Sequence, residues 1–160
     1  MLDELLKTET TIIDRMPHKK PFLFIDQITQ LTEERIEGSY FLDQNLDFYK
    51  GHYPEYPITP GVILTEIMAQ IGLVALGIHL LDKKSAFSSP DMSQKVPVLS
   101  TTDIKFRKIV TPDQRVYVVS EKKLFKHNKL ICKTKLLNIN NEILAEGILS
   151  GFILEKTNRQ

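Results

Sequence analysis

Apolar residues crowd most densely between Val62 and Leu81, where only Thr65, Glu66, Gln70 and His79 bring polar side chains into the run. A stretch of this length without strand-like alternation predicts one helix, apolar nearly all round and therefore buried at the centre of a fold. Thr59 is placed to cap it, and Pro60 suits the first helical position, where a missing N–H leaves nothing unpaired. Lys83 and Lys84 follow, where the helix dipole favours positive charge. The length also suits a membrane span. Glu66, Gln70 and His79 within it, and the absence of a second such run, favour the buried helix.

The flanks read differently. Residues 2–8 predict a short helical turn that continues towards Arg15, and Met16 to Pro21 is a loop with two prolines. Phe22 to Leu31 reads as a strand, Thr32-Glu33-Glu34 as a turn, and Arg35 to Leu42 as the partner strand of a hairpin. Residues 43–60 form a loop with one helical turn near Leu46–Tyr49, and 83–95 form a polar linker. Four strand-like runs come last, at 96–108, 115–126, 129–139 and 142–154, parted by Thr111-Pro112-Asp113, His127-Asn128 and Asn138 to Asn141. Two strands, one long helix, then four strands without βαβ alternation predict an α+β fold, an antiparallel sheet wrapped on one central helix. The length fits a single domain over 1–160.

Composition changes this picture little. Apolar content of 42% and charged content of 26% are those of an ordinary globular protein, and a net charge of +1 offers no global field for nucleic acid or a membrane surface. The charge is uneven, however: residues 1–102 hold nine Lys/Arg against fourteen Asp/Glu, and residues 103–135 hold ten against three. The basic segment reads either as strands with solvated lysine-rich faces or as a docking surface for an acidic partner. Cys132 is the only cysteine, so an internal disulfide and multi-cysteine metal sites are excluded. The acidic opening MLDELLKTETTIID lacks the pattern of a secretory signal, which points to the cytoplasm.

The chemistry concentrates in GHYPEYPITPGVILTEIMAQ, residues 51–70. His52 lies in a loop stiffened by Pro54, Pro57 and Pro60, which restrict the backbone and lower the entropy lost on ordering it. Glu66 is the only acidic side chain of the apolar run; burial would disfavour its charged form and suit it to general-acid work. Val62, Glu66 and Gln70 follow at four-residue spacing and share one helical stripe. Gly61 opens the helix, where free N–H groups and positive dipole character can stabilise an enolate-like oxygen. Plainer readings exist for each: a structural histidine, a solvated Glu66, and a Pro-Gly junction that merely starts a helix.

These residues also carry a resemblance. The segment is similar to the signature of the FabZ-type 3-hydroxyacyl-[acyl carrier protein] dehydratases, which have the hot-dog fold. Met16-Pro17-His18 with Pro21-Phe22-Leu23-Phe24-Ile25-Asp26 resembles their N-terminal motif, and Ile104 to Val110 resembles their Phe-Arg-(Arg/Lys)-x-Val motif. The resemblance spans about Thr11 to Leu154. It implies that His52 is the catalytic histidine and Glu66 the catalytic carboxylate, with Gly61 binding the thioester carbonyl through its N–H. Val62, Tyr53 and Gln70 would line the substrate site, Gln70 matching the helix glutamine of the signature. In the related dehydratase/isomerase family the matching carboxylate is usually Asp, so Glu66 implies dehydration without isomerisation.

The resemblance further implies a homodimer, often assembled as a trimer of dimers, with histidine and carboxylate of one site drawn from different chains. It implies no metal or redox cofactor, since phosphopantetheine arrives on the substrate's acyl carrier protein. Lys105, Arg107 and Lys108 become candidate contacts for that acidic carrier. Departures from the pattern fall outside the His–Glu pair: Tyr53 for Phe, Thr59 for Met, Lys20 for an aromatic residue, a Pro112-Asp113-Gln114 turn without the usual Gly, and an unfamiliar 83–95 linker. They bear on which acyl chain fits and leave room for a polyene pathway beside fatty acid synthesis. A hot-dog thioesterase using Glu66 to activate water, and a non-catalytic acyl-binding subunit, are the competing readings.

Overall fold

The computed structural model describes residues 1–85 and 90–157. An N-terminal helix, α1 (Leu2–Asp14), leads through an irregular segment to the hairpin β1 (Gln27–Leu31) and β2 (Arg35–Leu42). A short helix, α2 (Asp47–Gly51), precedes the central helix, which runs as α3 (Gly61–Ala69), a π-helical segment (Gln70–Ala75) and α4 (Leu76–Lys84). One 3₁₀ turn at Met92–Gln94 then introduces β3 (Lys95–Phe106), β4 (Gln114–Lys126), β5 (Lys129–Leu137) and β6 (Ile143–Glu155). The six strands form one sheet in the order β1-β2-β4-β5-β6-β3, with every pairing antiparallel. The expected α+β architecture, a sheet wrapped on one central helix, is the one observed.

Strand alternation builds the core. On β4, Val116, Val118 and Ser120 point inwards, and on β5 Leu130, Cys132, Thr134 and Leu136 do so. They meet Ile67, Met68, Ile71, Ala75 and Leu76 of the central helix, all buried. Helix and sheet approach closely at Gly72, where a Cβ would stand 2.9 Å from Ser120 Oγ. There Ser120 Oγ donates to the Gly72 carbonyl at 3.1 Å and lies 2.9 Å from Thr134 Oγ1. The Ser120 hydroxyl thus bonds a carbonyl of the π-helical segment. Gly61–Lys84 is long and apolar enough to cross a bilayer, but 67% of its most apolar window is buried within the fold. That is the signature of a core helix.

Several boundaries differ from the sequence reading. The strand expected from Phe22 begins only at Gln27, because Phe22 and Phe24 turn their backbone groups to the Gln70 side chain. Thr59 does not cap the central helix. Pro60 occupies the N-cap position with no side-chain cap bond, Gly61 is the first helical residue, and the Thr59 hydroxyl lies 2.6 Å from Tyr49 Oη. The helix is also longer than the expected 62–81. The strand at 96–108 stops at Phe106, since the Arg107 and Lys108 N–H groups both turn to the Leu144 carbonyl. The expected 83–95 linker is shorter than read: Lys83 and Lys84 are helical, Lys95 is in β3, and residues 86–89 lie outside the described residues. At the Pro112-Asp113-Gln114 turn, Asp113 takes the left-handed conformation (φ 60°) that a glycine would occupy most easily. It donates its N–H to the Leu42 carbonyl and accepts from Gln44 N, tying the turn to the end of β2.

Candidate active site

His52 terminates α2, with its N–H bonded to the Phe48 carbonyl at 2.9 Å. The loop after it is tied down at three points. Tyr56 N donates to Tyr53 O, the Tyr49 and Thr59 hydroxyls meet, and Thr59 N donates to Val110 O at 2.7 Å. Within this frame His52 Nδ1 lies 2.9 Å from the Ile58 carbonyl. A carbonyl can only accept, so Nδ1 carries a hydrogen, and the neutral ring has its lone pair on Nε2. That tautomer is the one a general base needs. Tyr53, in the left-handed region at φ 58°, is exposed and places its ring 4.3 Å from the His52 ring. The unusual backbone of a bulky residue is held here by the loop's own bonds.

Gly61 starts α3. As the first residues of a helix, Gly61 and Val62 have N–H groups with no carbonyl four residues back to bond. A Cβ at Gly61 would lie 3.2–3.5 Å from three atoms of the Phe106 ring. The absence of a side chain thus lets the end of β3 cover the helix start. Val62 points outwards and is 76% exposed in the single chain.

Glu66 lies one further turn along. Gln70 Nε2 donates to Glu66 Oε1 at 2.8 Å, as their spacing on one stripe requires. Gln70 is completely buried: its carbonyl oxygen accepts from Phe24 N at 2.7 Å, and its amide nitrogen also donates to Phe22 O at 3.0 Å. Its polar atoms are therefore occupied within the chain, and it supports Glu66 from behind. His18 Nε2 lies 3.5 Å from the same Glu66 oxygen. Burial holds the His18 imidazole below its ordinary range, with the Glu66 carboxylate pulling the other way. His18 entered the sequence reading only as part of a motif. The available signal was its place between Pro17 and Pro21, which stiffen the loop that carries it.

Glu66 and His18 form the polar end of an otherwise apolar cavity holding about 650 Å³ of empty space, part of it open to solvent. The helix contributes Ala69, Leu73 and Gly77, spaced to face one side, and the opposite wall includes Val98 of β3 and Ile153 of β6. Among the described residues, His52 does not line this cavity, and its side-chain nitrogen is bonded to Ile58, not to Glu66. One chain therefore does not bring the two candidate catalytic groups together. The cavity's β3 wall is a sheet edge: among the described residues β3 pairs with β6 alone, and its Val96, Val98, Leu99 and Phe106 are exposed.

The three candidate carrier contacts are all exposed but not equally available. Arg107 pairs with Glu146 at 3.0 Å and Lys108 with Glu142 at 2.6 Å, whereas no ion pair is found for Lys105 among the described residues. No group of three or more His, Cys, Asp or Glu side chains is placed to hold a metal ion among the described residues.

Comparison with known proteins shows the family and the fold. The 3-hydroxyacyl-[acyl-carrier-protein] dehydratase FabZ of Caldicellulosiruptor saccharolyticus is 31% identical over 143 residues, covering 88% of this chain and 94% of that protein. The FabZ of Caldicellulosiruptor bescii is 33% identical over 141 residues, covering 86% and 92%. Among solved structures, a dehydratase heterocomplex from Xenorhabdus doucetiae superposes with a TM-score of 0.66 at 16% identity, covering 91% of each chain. A hypothetical thioesterase from Streptococcus pneumoniae, solved with coenzyme A, gives 0.59 at 9% identity, covering 99% and 100%. At these identities the solved structures speak for the hot-dog fold alone. The FabA-like domain model matches residues 16–147, from the loop that carries His18 to the strand that backs the cavity, and the chain belongs to that family.

Proposed function

We propose that this protein eliminates water from a 3-hydroxyacyl thioester on acyl carrier protein, giving the trans-2-enoyl thioester in fatty acid or related polyene biosynthesis. The observation that carries the reading is Glu66 at the polar end of a cavity with apolar walls, the arrangement an acyl chain with one reacting oxygen requires. The FabZ relatives support the same reaction class.

In this reading His52 Nε2 removes the proton α to the carbonyl, and that C–H electron pair becomes the new double bond. The Gly61 N–H receives the thioester oxygen as negative charge develops on it. Glu66 gives its proton to the departing hydroxyl, which leaves as water. His52 then returns its proton, through solvent, to Glu66. Tyr53 and Val62 border the substrate's entry. No cofactor takes part, and phosphopantetheine belongs to the carrier. Lys105, with Arg107 and Lys108, offers positive charge to that acidic carrier. In this reading the enzyme works in the cytoplasm as one folded domain, which its FabZ relatives support.

The complete site is a homodimer's, and a trimer of dimers would be its higher assembly. The long unpaired β3 edge with exposed Val98 and Leu99 supports pairing with a second copy. Such pairing would close the cavity and supply the partner's histidine. Mixing subunits tests this. Homodimers of His52→Ala and of Glu66→Ala should each fall at least 10³-fold in turnover, about the loss expected for an acid or base group. Heterodimers formed by exchange should regain about one complete site in two. Exchanged dimers that stay inactive would refute the shared site, and release of free acid in place of enoyl thioester would refute the reaction.

A further inference from the structure

One oxygen of Glu66 accepts a hydrogen bond from Gln70 and faces the His18 ring. Gln70 Nε2 donates to Oε1 at 2.8 Å, and His18 Nε2 stands 3.5 Å from that same atom. On the far side of the imidazole, His18 Nδ1 is buried with no hydrogen-bond partner among the described residues. An imidazolium carries N–H donors at both nitrogens. Charging His18 would therefore bury a donor that has nothing to bond, a costly arrangement. The neutral ring with a bare Nδ1 and its hydrogen on Nε2 avoids this and aims that hydrogen at Glu66. The Glu66 charge acts on the His18 ring, against the larger effect of burial.

The ring is fixed from both ends of its loop. Met16 is buried at 1% exposure. Phe22 N donates to Lys19 O at 2.8 Å, and Gln70 holds Phe22 O and Phe24 N. One buried glutamine thus sets the loop that carries His18 and the carboxylate it faces. With Gln70 bonded to Oε1 and His18 Nε2 facing that same oxygen at 3.5 Å, the other carboxyl oxygen is left to hold and release the proton.

We infer that His18 is a positioning residue of the dehydration: its neutral Nε2–H, with Gln70, anchors Oε1 of Glu66 so that Oε2 delivers the proton to the departing hydroxyl. This rests on the role proposed for Glu66. The test compares His18→Phe, which keeps a ring and removes the donor, with His18→Gln, which keeps an N–H near the Nε2 position and cannot titrate. Both are assayed as full-length enzyme with a 3-hydroxyacyl-carrier substrate. His18→Phe should lower kcat at least tenfold with KM changed less than threefold, and His18→Gln should recover most of that loss. Loss in kcat at nearly unchanged KM, together with recovery by His18→Gln, is the pattern that a purely structural ring would not give.

A folded His18→Phe enzyme within twofold of wild type, or a His18→Gln enzyme slowed tenfold or more, overturns the inference. If His18→Phe does not fold, His18→Gln decides alone. Glu66→Gln is assayed beside them: wild-type turnover in that variant would sink the role of Glu66 itself, a different result from failure at His18.

Discussion

Replacing Gln70 by methionine isolates the support beneath the catalytic carboxylate. The two side chains are similar in volume, so the packing change is small. What disappears is a set of three hydrogen bonds, to Phe24 N, Phe22 O and Glu66 Oε1. Phe24 is 1% exposed, so its N–H is left without a partner at about 1–3 kcal/mol. Phe22 is 49% exposed, and its carbonyl can turn to water. The bond to Glu66, whose side chain is 23% exposed, contributes about 1 kcal/mol. The sum is about 2–4 kcal/mol, which for a chain of this size lowers Tm by about 4–15 °C. Turnover should fall about tenfold, equivalent to about 1.4 kcal/mol of misplaced proton donor. Calorimetry at one fixed protein concentration, needed because an oligomer's Tm depends on it, reads the first effect, and saturating kinetics read the second. A Gln70→Met protein melting within 2 °C of wild type, and turning over within about twofold of it, would refute the reasoning.

Gly61→Ala should leave Tm within a few degrees, because the exposed Phe106 ring that the new methyl meets at 3.2–3.5 Å can swing aside. It should lower kcat/KM about tenfold or more by crowding the N–H offered to the thioester oxygen; an unchanged kcat/KM would move the carbonyl site elsewhere. Stability should also fall in alkali. Burial pushes the Cys132 thiol up to about 11 from 9.0 and the Tyr40 phenol up to about 12 from 10.0. Both groups stay neutral in the fold but ionise earlier when unfolded. Their contribution is thus whole below pH 9 and is lost as pH rises through 11 and 12. By pH 10.5 the loss is about 2–3 kcal/mol, read as a lower urea midpoint than at pH 7.5; equal midpoints would refute it.

The sheet and the central helix were legible because their signals are local. Alternation along β4 and β5 and the unbroken apolar run of Val62 to Leu81 report burial directly, residue by residue. The Phe22–Asp26 segment was not legible as a loop. Its aromatic residues satisfy strand propensity, while the bond that decides its path comes from Gln70, more than forty residues away. The π segment was hidden for a similar reason: QIGLVA reads as ordinary helix, and a hydroxyl from β4 bonds its Gly72 carbonyl. Thr59 carried a capping residue's chemistry, but Tyr49 claimed its hydroxyl first.

The sequence alone determined which chemical groups are present and in what local frame. It supplies a histidine in a proline-stiffened loop, a glycine at a helix start, and a carboxylate with an amide one turn beyond it. Spacing within one loop and one helix settles these relations, since backbone geometry over a few residues is nearly invariant. Only the tertiary structure decided their neighbours. It set the tautomer of His52 through Ile58, brought His18 to Glu66, and left His52 outside the cavity that Glu66 heads. Those contacts join segments distant in the chain, and they depend on how the helix seats against the sheet and on where one sheet edge is left open.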